Sequence, residues 1–132
     1  MADIAVITGA TGGIGVEFVK AIHLLNDIDE IWAVGRNTEK LKRLEEEYEK
    51  IVPVEADLAC NGICILGEKI ENEKPNIRML INNAGIAHMG AFEEMEKEDI
   101  DDFCKINCNA PSMLISMALP YMRTGARILN IA

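Results

Sequence analysis

Four glycines fall within seven residues near the start of the chain, where residue types suited to binding a phosphate group are most concentrated. They belong to the octet Thr8-Gly9-Ala10-Thr11-Gly12-Gly13-Ile14-Gly15, which follows a predicted strand at Ile4–Ile7 and opens a predicted helix over Ile14–Leu25. Glycine permits the backbone angles of such a turn, and the missing Cβ lets a pyrophosphate approach the backbone. The N–H groups and the dipole at the helix start then attract the anion. The octet therefore predicts a dinucleotide phosphate site, with a tight turn that binds no ligand as the alternative.

The glycine spacing fits two patterns. Thr-Gly-x-x-x-Gly-x-Gly is matched through Gly9, Gly13 and Gly15, and Thr-Gly-x-x-Gly-x-x-Gly is matched through Gly9, Gly12 and Gly15. A P-loop is excluded, because no Gly-Lys-Ser/Thr follows. The octet alone leaves the two patterns open.

Strand-like and helix-like segments alternate along the chain and predict an α/β fold. The predicted strands after the first are Ile31–Val34, Ile51–Val54, Met79–Ile81 and Arg127–Ile131. The predicted helices after the first are one capped by Asn37 or Thr38, one with a face of Ile63, Leu66 and Ile70, and a long region from Lys97 to Met122 interrupted near Asn107 to Pro111. Apolar strands of this kind favour a doubly wound parallel sheet, buried under helices on both faces. Pro53 predicts an edge position for the third strand, hence the order 3-2-1-4-5. We expect a single domain over residues 1–132, with its ligand at the carboxyl ends of strands one and four.

A second motif, Asn82-Asn83-Ala84-Gly85, directly follows the fourth predicted strand. Its small residues let the strand end approach a ligand, and its asparagine amides can tie neighbouring strands together. With the octet, this tetrapeptide makes the chain resemble the short-chain dehydrogenase/reductase family along its whole length. The resemblance favours the first glycine spacing, since the second is associated with sugar-nucleotide epimerases, which usually lack the tetrapeptide. It implies a Rossmann-type fold and an oxidoreductase that interconverts a small-molecule alcohol and a carbonyl compound.

The resemblance also implies roles for individual residues. The implied cofactor-binding residues are Thr8, Gly9, Thr11, Gly13, Ile14, Gly15, Arg36, Asp57, Leu58, Asn83, Ala84 and Gly85. Asp57 and Leu58 stand where the family contacts the adenine ring, although an aspartate after a strand also serves as a turn or cap residue. Asn107 stands at the position of a catalytic asparagine, which holds a water through an opened backbone carbonyl. The alternative for Asn107 is a helix-breaking polar residue ahead of Pro111.

The residues after the second strand predict NADP(H) rather than NAD(H). In this fold an acidic residue about 20 positions beyond the glycine turn binds the ribose hydroxyls of NAD. Gly35 occupies that place here and Arg36 follows it. The guanidinium of arginine suits the 2′-phosphate of NADP, which an aspartate would repel.

One part of the family pattern is missing from these 132 residues. Members carry a serine after the fifth strand and then a Tyr-x-x-x-Lys pair, whereas Tyr48 is followed four residues on by Val52, and Tyr121 by Gly125. We therefore expect the cofactor-binding part of an oxidoreductase, incomplete at its carboxyl end and inactive by itself. The alternative is a non-catalytic dinucleotide-binding module or sensor. The family and the apolar helix around Ser112 to Leu119 favour a homo-oligomer.

Composition and charge exclude other classes of protein. The formal net charge of −9 and a pI near 4.7 argue against a nucleic-acid partner. No apolar run is long enough for a membrane span, and only three residues precede the first strand, so we expect no membrane partner and a cytoplasmic location. We expect no metal site, ordinary surface or boundary roles for His23 and His88, and reduced thiols. The cysteines, expected to be buried or half-buried on helices, are Cys60, Cys64, Cys104 and Cys108.

Overall fold

Five parallel strands form one sheet in the computed structural model, which describes residues 1–132. The strands are β1 (Asp3–Thr8), β2 (Glu30–Gly35), β3 (Ile51–Glu55), β4 (Asn76–Asn82) and β5 (Arg127–Asn130). Their order is β3-β2-β1-β4-β5, which confirms the predicted Rossmann-type sheet. The winding reverses at β1, which pairs with β2 on one side and with β4 on the other. A crevice at the carboxyl ends of β1 and β4 follows from this reversal.

Helices cover both faces of the sheet. They are α1 (Gly13–His23), α2 (Thr38–Glu47), α3 (Gly62–Glu73), α4 (Lys97–Cys104) and α5 (Ala110–Ala118). Two short 3₁₀ turns lie at Phe92–Glu94 and Leu119–Tyr121. On one face the core includes Val19 of α1 and Leu41 of α2, and on the other Leu66 of α3 and Leu114 of α5. The predicted cap of α2 is confirmed, because the Asn37 side chain accepts a hydrogen bond from the Lys40 N–H at 3.1 Å.

The predicted interruption of the long helical region is a π-helical turn at Lys105–Asn109. There the Ala110 N–H bonds to the Lys105 carbonyl, five residues back instead of four. Pro111 lies in the first turn of α5 and has no N–H, so the carbonyl of Asn107 loses its usual α-helical donor. The interruption therefore combines a wide turn with a proline.

The two edges of the sheet differ. Pro53 lies on β3, which pairs only with β2, so the predicted edge position is confirmed. At the other edge β5 pairs only with β4. We expected β5 to be a buried apolar strand, and this was wrong, because all four of its residues are exposed. The edge position alone does not explain this exposure, since β3 also has one neighbour and keeps Ile51 and Val54 buried, whereas no helix packs extensively on β5.

The prediction of buried or half-buried thiols was also wrong, since all four cysteines are exposed and free. The inward face of α3 is taken by Leu66 and Ile70, so Cys64 points to solvent. Cys60 lies in the turn before α3 and not on a helix. The remaining two, in α4 and the π turn, face outward because Ile106 takes the buried position. No three histidine, cysteine, aspartate or glutamate side chains are placed to hold a metal ion together.

The two histidines occupy the predicted kinds of position. His23 is half-buried at the end of α1, with its ring edge-on to Tyr48 at 5.2 Å between centroids. His88 is exposed in the loop after β4. Neither lies in the crevice at β1 and β4. A bilayer-crossing helix is absent as well, because none of the helices is both long and apolar enough.

Candidate functional site

A cleft of about 510 Å³ opens at the carboxyl ends of the strands, around the point where the winding reverses. Its size falls in the usual range of small-molecule sites. Its lining residues are Gly9, Thr11, Gly12, Gly13, Ile14, Val34, Gly35, Arg36, Ala56, Asp57, Leu58, Asn83, Ala84, Gly85, Ile86 and Ile106. The structure thus brings the predicted residues from four separate segments to one surface. Thr8, Gly15 and Asn107 are the predicted residues that do not line it.

Three glycines of the octet occupy positions with different structural requirements. Gly9 has a φ of +62°, and a Cβ there would lie 2.9 Å from the Ala84 Cα, so Gly9 allows the β4 loop to approach the turn. Gly13 has a φ of +50° and lines the cleft, and a Cβ there would meet no atom within 4 Å. A Cβ on Gly15 would lie 2.0 Å from the Gly9 carbonyl oxygen. Gly15 is therefore a packing residue between α1 and the turn, whereas Gly13 faces the cleft.

The first turn of α1 supplies backbone donors to the cleft. Gly13 and Ile14 line the cleft at the helix start, where the first N–H groups of a helix have no partner within the helix. No acidic residue lies in this first turn. The start of α1 therefore lies at the cleft with no carboxylate in its first turn, which is the arrangement in which helix N-termini can accept an anion.

Hydrogen bonds join the glycine turn to the loop after β4. The buried hydroxyl oxygen of Thr8 accepts from the N–H groups of Asn83 at 3.1 Å and Ala84 at 2.9 Å. The Asn83 side chain donates to the Gly9 carbonyl at 3.1 Å. Thr8 therefore shapes the cleft from beneath by holding two loops together.

The end of β2 forms one rim of the cleft. Arg36 is exposed there, and its guanidinium takes part in none of the ion pairs of the chain. Gly35 precedes it, and the Thr11 side chain packs over the position that a Gly35 side chain would occupy. The guanidinium of Arg36 is thus outside any ion pair, and the neighbouring Gly35 presents no side chain.

Asp57 shapes the turn after β3 and also borders the cleft. Its carboxylate accepts from the Ala59 N–H at 2.9 Å, and its carbonyl accepts from the N–H groups of Cys60 and Gly62. The turn role that the sequence left open is thus present. Leu58 lies beside it on the same wall of the cleft.

Asn107 lies beside the cleft, on the π turn. Its side-chain oxygen accepts from the Ile86 N–H at 2.9 Å, and its side-chain nitrogen donates to the Ile86 carbonyl at 2.7 Å. Asn107 lines a second cleft of about 510 Å³ that shares Ala84, Gly85 and Ile86 with the first. The two clefts therefore meet at the loop that Asn107 holds.

Sequence reasoning missed several apolar lining residues. Val34 and Ala56 could have been found, because they end or follow predicted strands whose carboxyl ends face the ligand. Ile86 and Ile106 carry no chemical signal in the sequence, and only the fold brings them to the cleft.

Comparison with known proteins gives concordant results. Residues 3–132 match the sequence profile of the family described as short chain dehydrogenase. Nodulation protein G of Rhizobium sp. (strain N33) is 33% identical over 131 residues, covering 96% of this chain and 53% of that protein. The chain thus spans about half the length of this relative.

Solved structures resemble the fold closely. A metagenomic short-chain oxidoreductase in complex with NADP has a TM-score of 0.88 at 25% identity, covering 98% of this chain and 61% of that one. A short-chain dehydrogenase from Sphingobium yanoikuyae in complex with NADPH has a TM-score of 0.83 at 26% identity, covering 100% of this chain and 54% of that one. Sequence profile, fold and site geometry agree, and the chain belongs to the short-chain dehydrogenase/reductase family.

Proposed function

We propose that these residues form the NADP(H)-binding part of an oxidoreductase that interconverts an alcohol and a ketone or aldehyde. The observation that carries the proposal is the single cleft in which the start of α1, Arg36 and the loop at Asn83–Gly85 meet. The bound cofactor would supply the hydride chemistry, and the chain would bind and orient it. The NADP and NADPH complexes among the structural neighbours support this choice of cofactor.

The cleft offers a suitable group for each part of the cofactor. The N–H groups at the start of α1, with Gly13 beside them, suit the pyrophosphate. Arg36 suits the 2′-phosphate, because its planar charged guanidinium can donate two parallel hydrogen bonds. Asp57 and Leu58 form the wall for the adenine ring, and Ala84 and Gly85 leave room for the nicotinamide end.

Proton transfer needs groups beyond the cofactor. Asn107 holds the loop at Ile86, and its backbone carbonyl lacks the donor that residue 111 would supply in a regular helix. We assign this carbonyl to the proton relay that the family resemblance implies. Neither Tyr48 nor Tyr121 is followed by a lysine four residues on, so we expect these 132 residues alone to bind cofactor without turnover.

Calorimetric titration tests the proposal. Wild-type protein is titrated with NADPH and with NADH, and so are Arg36→Ala and the control Arg43→Ala, an exposed arginine of α2 outside the cleft. We expect wild type to prefer NADPH and Arg36→Ala to lose about tenfold or more of that affinity, the value of a charge-assisted hydrogen bond. Affinity of Arg36→Ala for NADH and of the control for both cofactors is expected to match wild type. Equal wild-type affinity for the two cofactors would contradict the NADP(H) assignment, and binding of neither would contradict the cofactor site.

A further inference from the structure

Gly35 is a glycine for reasons of space. Its φ lies outside the left-handed region, so the backbone alone would accept another residue. A Cβ at this position would lie 3.0 Å from the Thr11 methyl carbon and 3.4 Å from the Thr11 hydroxyl oxygen. On its other side it would lie 3.6 Å from a methyl carbon of Leu41, which is buried. Thr11 therefore makes the tightest contact with a Cβ placed at position 35.

The turn that carries Thr11 is held on several sides. The Ala10 N–H donates to the Val34 carbonyl at 3.2 Å, which ties the turn to the end of β2. The Asn83 side chain holds the Gly9 carbonyl from the β4 side. Because Gly15 packs directly against Gly9, the turn cannot shift toward α1. The backbone at Thr11 thus has little freedom to withdraw from position 35.

We propose that Thr11 determines cofactor specificity through its methyl group. The methyl keeps position 35 free of a side chain, and so excludes the acidic residue that would bind the adenosine ribose hydroxyls and repel a 2′-phosphate. Arg36 then meets the phosphate without a carboxylate at position 35. The inference rests on the proposed binding of NADP(H) in this cleft. It gives Thr11, a residue of the glycine turn, a role in discriminating between a ribose with a 2′-phosphate and one without it.

A change of cofactor preference should require removal of the Thr11 methyl group as well as an acidic side chain at position 35. Gly35→Asp alone introduces the carboxylate but forces its Cβ against the Thr11 methyl. We expect this variant to gain little affinity for NADH, because the side chain or the turn must shift. Combined with Thr11→Ser, which removes the methyl and keeps the hydroxyl, the same Gly35→Asp change is expected to create an NADH site.

Four proteins distinguish the effect of the Thr11 methyl group from the effect of its hydroxyl group. Gly35→Asp is made with threonine retained at position 11 and with Thr11→Ser, Thr11→Val and Thr11→Ala, and each protein is titrated calorimetrically with NADH and NADPH. Ser and Ala lack the methyl, whereas Thr and Val carry it. We expect the Ser and Ala combinations to bind NADH about tenfold or more tightly than the Thr and Val combinations, the value of a charge-assisted hydrogen bond to the ribose.

Thermal unfolding by circular dichroism covers the case in which Gly35→Asp folds poorly. We then expect the Ser and Ala combinations to recover cooperative unfolding and the Val combination not to recover it. NADH affinity and unfolding that are equal across the four proteins, or that follow the hydroxyl, would overturn the role of the methyl. The titration of wild type with NADPH tests NADP(H) binding by itself. A failure of the proposed function would therefore be distinguishable from a failure of the predicted difference among the four Gly35→Asp proteins.

Discussion

The side chain of Asn107 forms two hydrogen bonds with the peptide groups of a single residue, Ile86, one through its oxygen at 2.9 Å and one through its nitrogen at 2.7 Å. The pair joins the π turn to the loop after β4. Gly85 is part of the same contact, because a Cβ there would lie 3.2 Å from the Asn107 side-chain oxygen. Asn107 thus positions the wall between the two clefts through its side chain.

The first prediction follows from this pairing. Asn107→Leu keeps the approximate size of the side chain but leaves the Ile86 N–H and carbonyl without their partner. We expect the free energy of unfolding to fall by about 1–3 kcal/mol, the net contribution of the two hydrogen bonds that are lost. Urea unfolding, followed by the fluorescence of the buried Trp32, measures it. Asn109→Leu, at an exposed position of the same turn, is the control, and equal midpoints for both variants would contradict the role of the pair.

The fold was predictable because its signals are local and repeated. The strands are short apolar runs, and Pro53 marks an edge by its missing N–H, so the strand order followed from connection rules. The exposure of β5 was not predictable in this way, because burial depends on neighbours and not on the apolar character of Ile128 and Leu129. The prediction for the cysteines failed for a similar reason, since the spacing of four residues between Cys60 and Cys64, and between Cys104 and Cys108, does not reveal which helix face is buried.

The site was predictable in its glycine and asparagine motifs, where backbone geometry restricts the residue type. The separate roles of Gly13 and Gly15 depend on three-dimensional packing, because one faces open space and the other faces the Gly9 carbonyl. The partner of Asn107 was also out of reach, because Ile86 contributes only its backbone. A contact that is made through a backbone peptide group does not depend on the residue type, so the sequence gives no signal for it.

The second prediction concerns Thr8. Thr8→Val preserves the shape of the side chain but removes the oxygen that accepts from the Asn83 and Ala84 N–H groups. We expect a loss of about 1 kcal/mol in the free energy of unfolding for each of the two hydrogen bonds. Thr8→Ser retains the oxygen and is expected to unfold at a higher urea concentration than Thr8→Val. Equal urea midpoints for the two variants would show that these hydrogen bonds contribute nothing net.

The third prediction is self-association through the β5 edge. Leu129 is 44% exposed on an edge strand whose outer backbone groups are unpaired, and Met113 of α5 is 49% exposed. Such an edge is a template for pairing with a second copy. Sedimentation velocity across a concentration series in moderate salt is expected to show association in wild type and less in Leu129→Lys. The same change at exposed Leu24, Leu24→Lys, is the control, and a wild type that is monomeric throughout would contradict the prediction.

The last prediction separates the two glycines at the start of α1. Gly13→Ala adds a methyl group at a cleft-lining position that has a φ of +50° and no atom within 4 Å of the new Cβ, so we expect a folded protein, less stable by about 1–2 kcal/mol, whose NADPH affinity falls about tenfold or more. Gly15→Ala places a methyl group 2.0 Å from the Gly9 carbonyl oxygen, so the turn or the helix must move, and we expect about 1–3 kcal/mol of stability to be lost. Urea unfolding and NADPH titration on both variants separate occupancy of the cleft from disruption of packing. If Gly13→Ala bound NADPH as wild type does, the open side of Gly13 would not be where the phosphates lie. If Gly15→Ala were as stable as wild type, the contact between α1 and the turn would tolerate a side chain.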